Sequence, residues 1–475
     1  IPLKFRLTDE EVARFAVNRY QFPGVDVEAH LSRNYPLKTL VSHVVGYVGR
    51  ININEAKRLD ESNYAGTTHV GKIGLEKYYE DLLHGSVGYK RVEVNAVGRV
   101  IREIERKDPV PGDNIHLTID SNLQAVAENT MEEFNGSIVA IEPATGEVLA
   151  MVSRPGFDPN LFVNGISRKT YKALNTDRHR PLFDRSIKGQ YPPGSTVKPF
   201  IGLAGLHHSV IAESLEIFCP GFYMIPNVDH KYRCWKHWGH GKVNLKQAIV
   251  QSCDVYFYDL AYTLGIDKMS AFMKQFNFGL PTHIDLHGEK PGIYPSREWK
   301  REKKGEAWFD GEAVITGIGQ GFTLATPLQL AYATATLANR GQPIRPRLLR
   351  GIENSTTQHY EEVFPNAFPE NITINNPAHW DYIIDAMKQV VHSIKGTAHK
   401  ISKGIDYTIA GKTGTAQVYG IPQDAKALDP EELAFELRDH ALFIAFAPIE
   451  NPQIALAVVV EHGGGGSSVA APIAK

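Results

Sequence analysis

The sequence predicts an α+β protein in which one antiparallel sheet is shared by the start and the finish of a large domain, behind a smaller N-terminal unit. Three observations point there. An apolar strand-turn-strand pattern runs through residues 137–152, a second closes the chain at 441–460, and the text between them is mostly helical in spacing. At roughly 150 residues per domain, 475 residues make room for about three domain-sized units, or one large core with a companion. A hydrophobic share of 43% against 22% charged provides packed cores rather than disorder. With 51 Lys and Arg facing 53 Asp and Glu, the net charge of -2 argues against nucleic acid or a polybasic membrane-surface role. The longest strongly apolar run, 454–460, falls far short of the ~18 residues that span a bilayer. The chain begins at Ile1 and carries no signal-peptide pattern, which suggests a processed or truncated form. Three cysteines rule out a disulfide-dense scaffold and leave at least one unpaired.

Taken in order, Thr8 with Glu11 reads as a capping box ahead of Val12, Phe15 and Ala16 at helical spacing. Residues 88–103 alternate as strands do, punctuated by Gly and Asn. A turn-rich break at 109–114 leads to a short strand at 115–119. Asp120-Ser121 then caps a helix carrying Leu123, Val126, Met131 and Phe134 on one side. The runs 137–141 and 147–152 flank Pro143-Ala144-Thr145-Gly146 as an antiparallel hairpin. Residues 245–261 and 328–338 have helical spacing, and 441–446 with 454–460 form the second hairpin around Pro448 and Pro452. Gly463 to Ser468 reads as a short flexible loop.

Three short motifs carry chemistry. The first is Ser195-Thr196-Val197-Lys198, after Tyr191-Pro192-Pro193-Gly194. Residues three apart share a helix face, so Lys198 comes within reach of the Ser195 hydroxyl, and a helix N-terminus favours a nearby oxyanion. Alone, such a tetrad is expected about once or twice in this length, and an ordinary helical turn with a solvated Lys explains it better. The second is Ser252-Cys253-Asp254, ahead of Tyr256-Phe257-Tyr258, which alone is a polar interruption in a buried segment. The third is Lys412-Thr413-Gly414-Thr415 after Gly411, inside a strand pattern. Glycines there point to close approach by a ligand or another backbone, and an ammonium beside two hydroxyls suits a carboxylate. The alternative is an edge strand guarded by its Lys.

Together, in this order, the three resemble the serine acyltransferases that bind penicillin, whose signature is S-x-x-K, S-D-N and K-T-G. The intervals of 57 and 160 residues are similar to those of the class B penicillin-binding proteins. Gly317-Ile318-Gly319-Gln320-Gly321 adds to the match, as do Arg33-Asn34-Tyr35-Pro36 and His43-Val44-Val45-Gly46-Tyr47-Val48-Gly49 near the N-terminus. Residues 235–241 and the Asp of the second motif look most like the elongation-specific subclass. The resemblance implies a transpeptidase domain at 121–475, an antiparallel sheet flanked by helices with an all-helical insert, standing on an elongated α+β pedestal at 1–120. It implies a D,D-transpeptidase acting on peptidoglycan stem peptides in cell elongation, acylated by β-lactams, on the periplasmic face of the bacterial inner membrane. Its implied partners are a SEDS-type glycan polymerase and other elongation-complex proteins, with a membrane anchor that this sequence lacks. No cofactor is implied for the acyl transfer.

The resemblance also assigns roles. Ser195 is the nucleophile, and Lys198 is its base if burial and the like charge of Lys412 depress its pKa. Ser252 relays a proton to the leaving D-alanine, Lys412, Thr413 and Thr415 with Gly414 meet the substrate carboxylate, and the N–H groups of Ser195 and Thr415 form the oxyanion hole. Asp254 departs from the family's Asn. A charged Asp254 only accepts hydrogen bonds and stabilises the Lys198 ammonium, against its role as base, so either Asp254 faces elsewhere or Lys198 is discharged at another stage. Cys219, Cys234 and Cys253 fall within 35 residues, with His230, His237 and His240 among them. Three thiolates and an imidazole make a common structural zinc set; the resemblance favours His240, with His237 as the alternative. A Cys219–Cys234 disulfide or three buried thiols are the rival readings. Competing functions are a hydrolase, carboxypeptidase or β-lactamase, in which water resolves the acyl-enzyme, and a non-catalytic penicillin sensor.

Overall fold

A computed structural model describes residues 3–4, 7–29, 31–364, 369–418 and 434–475 of the chain. At its centre is a five-stranded antiparallel sheet. The first hairpin supplies β1 (Gly136–Ile141) and β2 (Val148–Arg154); the chain's last third supplies β3 (Ala410–Ala416), β4 (His440–Ala447) and β5 (Ile454–Val460). Their spatial order is β3-β4-β5-β1-β2, so strands from both ends of the large domain pair, with Ile138 opposite Val458. Every residue of β1 is buried, and seven of the eight in β4, as continuous apolar text predicts of strands covered on both faces. Helix α1 (Lys198–His207) runs through the core, followed by α2 (Leu245–Val250) and α3 (Asp254–Leu264). Helix α4 (Pro327–Ala338), buried along its whole length, packs on β1 and β5. Helix α5 (Ala378–His392) packs on β3.

The N-terminal stretch is a chain of small units. Thr8 and Glu11 form the expected reciprocal cap on the helix Asp9–Asn18. Strands Tyr47–Arg50 and His69–Ile73 pair, and Tyr89–Val94 pairs with Val100–Lys107 as an exposed ribbon. Strand Asn114–Leu117 pairs instead with Leu349–Glu353.

Three sequence expectations need correction. The helix Ser121–Thr130 does not bury Val126, which is 59% exposed; its inner face is Gln124 and Ala127. The Gln124 amide bridges the Leu40 carbonyl and both backbone groups of Met151, a polar seam that an apolar count overlooks. The helical text of 245–261 is two helices, broken at Ser252 and Cys253. Gly463 to Ser468 is no loose loop: Gly466–Ala470 forms a π-helical turn, and a Cβ on Gly466 would stand 2.2 Å from the Gly414 carbonyl oxygen.

Candidate active site

The three motifs meet at the exposed edge of the sheet. Gly194–Val197 is a 3-10 turn that runs directly into α1, so Ser195 stands at the mouth of the helix, partly exposed, while Lys198 is fully buried. Gly194 has φ +53, and a Cβ built there would lie 2.5 Å from the Thr415 carbonyl oxygen. The backbone beside the first motif therefore runs against the third, which only glycine permits. A bracket from elsewhere holds this contact: the Gly194 N–H donates to the Gly319 carbonyl at 2.9 Å, and the Gln320 amide donates to the Thr415 carbonyl at 3.1 Å.

The second motif arrives as the C-terminal cap of α2. Ser252 has φ +54, in the left-handed region, and its N–H returns to the Ile249 carbonyl while that of Cys253 returns to Ala248. Glycine is the usual occupant of such a cap, because a side chain there costs about 1–2 kcal/mol. A serine at this point is explained by its hydroxyl. Ser252 Oγ accepts from Lys412 Nζ at 2.9 Å and from Lys198 Nζ at 3.3 Å. Lys198 Nζ also donates to the Ser252 carbonyl at 3.0 Å and to Asp254 Oδ1 at 2.7 Å.

These bonds revise the expected pairing of Lys198 with Ser195: the ammonium's bonds run to the second motif. They also answer the question of Asp254, which faces Lys198 rather than elsewhere. Its other oxygen, Oδ2, accepts the Trp235 backbone N–H at 2.9 Å. Two donors converge on this side chain, so a group with two acceptor oxygens satisfies both, whereas an Asn amide would turn its NH2 toward one of them. Burial pushes the Asp254 carboxyl above the ordinary carboxylate range, against the pull of the Lys198 ammonium. Lys412 is fully buried, which rules out a guard against edge pairing. Burial first, then the charge of Lys198, drives its pKa well below that of a free lysine, opposed by Asp254. The site thus holds one ammonium, one carboxylate and an amine that resists a second charge.

Thr413, Gly414 and Thr415 follow Lys412 along β3. Thr413 is buried with its Oγ1 2.7 Å from Thr397 Oγ1, Gly414 lies against Thr196, and Thr415 is exposed. Sequence reasoning missed Thr397, Gln320 as a brace, and the role of Trp235, whose stretch it marked but whose indole N–H donates to the Ser252 carbonyl at 3.0 Å. Gly319 and Gln320 stood inside a quoted motif, but nothing in the text marked their contacts.

Just behind Cys253, the ligand atoms of Cys219, Cys234, His240 and Cys253 all lie within 4.8 Å of one another. Nδ1 of His240 stands 3.6 Å from the Cys219 sulfur and 3.5 Å from that of Cys234. A tetrahedral zinc with Zn–S of about 2.3 Å and Zn–N of about 2.0–2.1 Å spaces sulfur and nitrogen by about 3.6 Å. The residues present therefore fit such an ion. All three cysteines are free and buried in this structure, with no bond between Cys219 and Cys234, and His237 stands exposed outside the cluster.

Comparison with known proteins agrees with this geometry. Residues 136–475 match the penicillin binding protein transpeptidase domain, and residues 1–117 match the penicillin-binding protein dimerisation domain. The peptidoglycan D,D-transpeptidase MrdA of Haemophilus influenzae is 43% identical over 481 residues, covering 100% of this chain and 73% of that protein. Among solved structures, Pseudomonas aeruginosa PBP2 in complex with WCK 5153 is 49% identical with a TM-score of 0.84, over 95% of this chain and 90% of that one. PBP2 of Helicobacter pylori in complex with MreC is 33% identical with a TM-score of 0.87, over 99% and 82%.

Proposed function

The chain belongs to the penicillin-binding protein transpeptidases, and we propose that it is a peptidoglycan D,D-transpeptidase of cell elongation with Ser195 as its nucleophile. The observation that carries this reading is the buried convergence of Lys198 and Lys412 on the Ser252 hydroxyl, with Lys198 one turn along the chain from Ser195. Ser195 Oγ attacks the carbonyl between the two terminal D-alanines. The bond from Oγ to that carbon forms as Lys198 gives a proton through Ser252 Oγ to Lys412, the amine that burial keeps short of one, and the Lys198 amine left behind takes the hydroxyl proton. The same chain returns it to the amine of the leaving D-alanine. Backbone N–H groups of Ser195 and Thr415 face the oxyanion, and the Gly319-Gln320 bracket fixes their spacing. Thr413, Gly414 and Thr415 receive the terminal carboxylate. The amine of a second stem peptide then attacks the acyl-enzyme, its nitrogen bonding to the carbonyl carbon as the bond to Ser195 breaks. A β-lactam acylates the same oxygen and leaves slowly.

The test is the product. Two pentapeptide strands incubated with the protein yield a cross-linked dimer lighter by one D-alanine and dependent on Ser195. Free tetrapeptide alone, read by mass, would instead make the protein a hydrolase.

Around this core we place the domain boundary at residue 120, where Asp120 caps the helix Ser121–Thr130; the strands up to Lys107 pair only with each other, and Asn114–Leu117 reaches across to Leu349–Glu353. Residues 1–120 form the supporting domain. Val94, Val97, Val100, Ile101 and Ile104 stand exposed on its ribbon and support docking of elongation-complex proteins, a SEDS-type glycan polymerase among them, on the periplasmic face of the inner membrane. Among the described residues no helix is long and apolar enough to cross a membrane.

Cys219, Cys234, His240 and Cys253 would hold a structural zinc. It supplies no step of the reaction; it pins the loop that carries Trp235 and the turn that carries Ser252. Protein purified without chelator is expected to contain about one zinc per chain, and Cys219→Ser to lose it and melt earlier. Metal-free wild-type protein with an unchanged melting temperature would contradict the assignment.

A further inference from the structure

Beside β3 lies a polar cleft of about 460 Å³ that none of the acyl-transfer groups uses. Trp235 and Lys236 line it from the loop after Cys234, and Lys242 from the strand Gly241–Val243. Gln251 comes from the end of α2, and Lys395 and Thr397 from the turn that follows α5. Three lysines line the cleft and no carboxylate does. None of the three ammoniums pairs with a carboxylate among the described residues; Lys236 Nζ only rests 5.9 Å from the Trp238 ring. Like charges gathered in one concavity without a counter-charge focus a positive potential that an anionic ligand relieves.

Two residues that line the cleft bond to the second and third motifs. Thr397 Oγ1 is 2.7 Å from Thr413 Oγ1, the neighbour of Lys412 on β3, and the indole of Trp235 holds the Ser252 carbonyl. We propose that this cleft is the acceptor subsite, taking the carboxylate-bearing segment of the peptide whose amine resolves the acyl-enzyme. The inference rests on the acyl-transfer reading above and names the second substrate's site within it. Direction decides for the acceptor. With the terminal carboxylate held at Thr413 to Thr415, as proposed above, the leaving D-alanine lies beside Thr413, and by microscopic reversibility the amine that replaces it takes up the same position. The cations serve the chemistry twice: they hold the acceptor's carboxylates, and they disfavour protonation of its amine, which must attack uncharged. Water gains from neither, so the cleft biases the acyl-enzyme toward cross-linking. In that step the amine nitrogen bonds to the acyl carbon, the bond from that carbon to Ser195 Oγ breaks, and the amine's proton returns to Oγ.

The experiment pairs a D-alanyl thioester donor with two acceptors, glycyl-glutamate and the uncharged glycyl-glutamine amide. It compares wild type with the triple variant Lys236→Gln, Lys242→Gln, Lys395→Gln. Acylation by a fluorescent β-lactam reports that the variant is folded. The expected result is a KM for glycyl-glutamate about tenfold higher in the variant, with kcat kept and the amide acceptor unaffected. High salt weakens the wild-type preference in the same direction. Binding of both dipeptides to the β-lactam-acylated protein gives a second readout independent of turnover. Equal affinity for the two acceptors, or a variant whose KM changes for the donor instead, overturns the proposal. Wild-type protein that neither β-lactam nor thioester acylates refutes the acyl-transfer reading itself. Protein that acylates normally but ignores acceptor charge refutes only the subsite.

Discussion

Ser195→Ala abolishes covalent labelling by a fluorescent β-lactam and lowers turnover by on the order of 10^4-fold or more, while leaving the melting temperature within about 1–2 °C of wild type. The size of the loss follows from the absence of a substitute. The neighbouring hydroxyl of Thr196 is buried and donates to the Pro193 carbonyl at 2.7 Å, so it is turned away from the cleft. Ser252 Oγ is held by two amines from within. The small stability change follows from position: Ser195 is partly exposed at the mouth of α1, and removing its oxygen opens no cavity in the core. Labelling is read on a gel with and without excess unlabelled penicillin, and melting by circular dichroism. Undiminished labelling of the variant would remove Ser195 as nucleophile.

Asp254→Ala is expected to cost about 3–5 kcal/mol of stability and to slow acylation about 10^2-fold. The carboxylate is buried and meets two donors, Lys198 Nζ and the Trp235 N–H. Truncation leaves an ammonium in a dry site with the Ser252 carbonyl and hydroxyl and the Phe257 ring but no counter-charge, and it frees the loop whose indole supports that same carbonyl. Asp254→Asn separates the charge from the shape. One amide oxygen still receives Lys198, but the NH2 then opposes the Trp235 N–H, and an unsatisfied buried donor costs about 1–3 kcal/mol. The variant is expected to fall between wild type and Asp254→Ala in both melting temperature and acylation rate. An Asn variant indistinguishable from wild type would mean that the second acceptor oxygen does no work here.

Much of this site is legible in the amino-acid text because its chemistry demands particular residue types at particular spacings. A hydroxyl three residues before an amine, or a Lys between glycines on a strand, says little alone; in this order, with Ser252 between them and three cysteines near a histidine, they speak together. The sheet was readable for a different reason: β1, β4 and β5 are nearly continuous apolar runs, and few other patterns bury a strand on both faces. What the text hides is set by backbone geometry. Helical periodicity runs unbroken from 245 to 261, yet the left-handed turn at Ser252 divides it, because the hydroxyl is needed where a glycine would sit. The spacing puts Lys198 within reach of Ser195 and leaves two options for Asp254; the structure takes the side on which Asp254, 56 residues further along the chain, faces Lys198. Trp235 and Thr397 act through contacts made only after folding; the stretch that holds Trp235 stands out by resemblance, but no local pattern marks either contact. Glycines 463–466 read as loose, but Gly466 is fixed by close approach to the backbone of Gly414.

The most direct test of the central claim is the site of the covalent adduct. Protein treated with penicillin, digested and mapped by mass is predicted to carry one acyl group, on the peptide containing Ser195, with the peptides of Ser252 and Lys412 unmodified. An adduct on either of those peptides, or an unmodified protein after prolonged exposure, would contradict it.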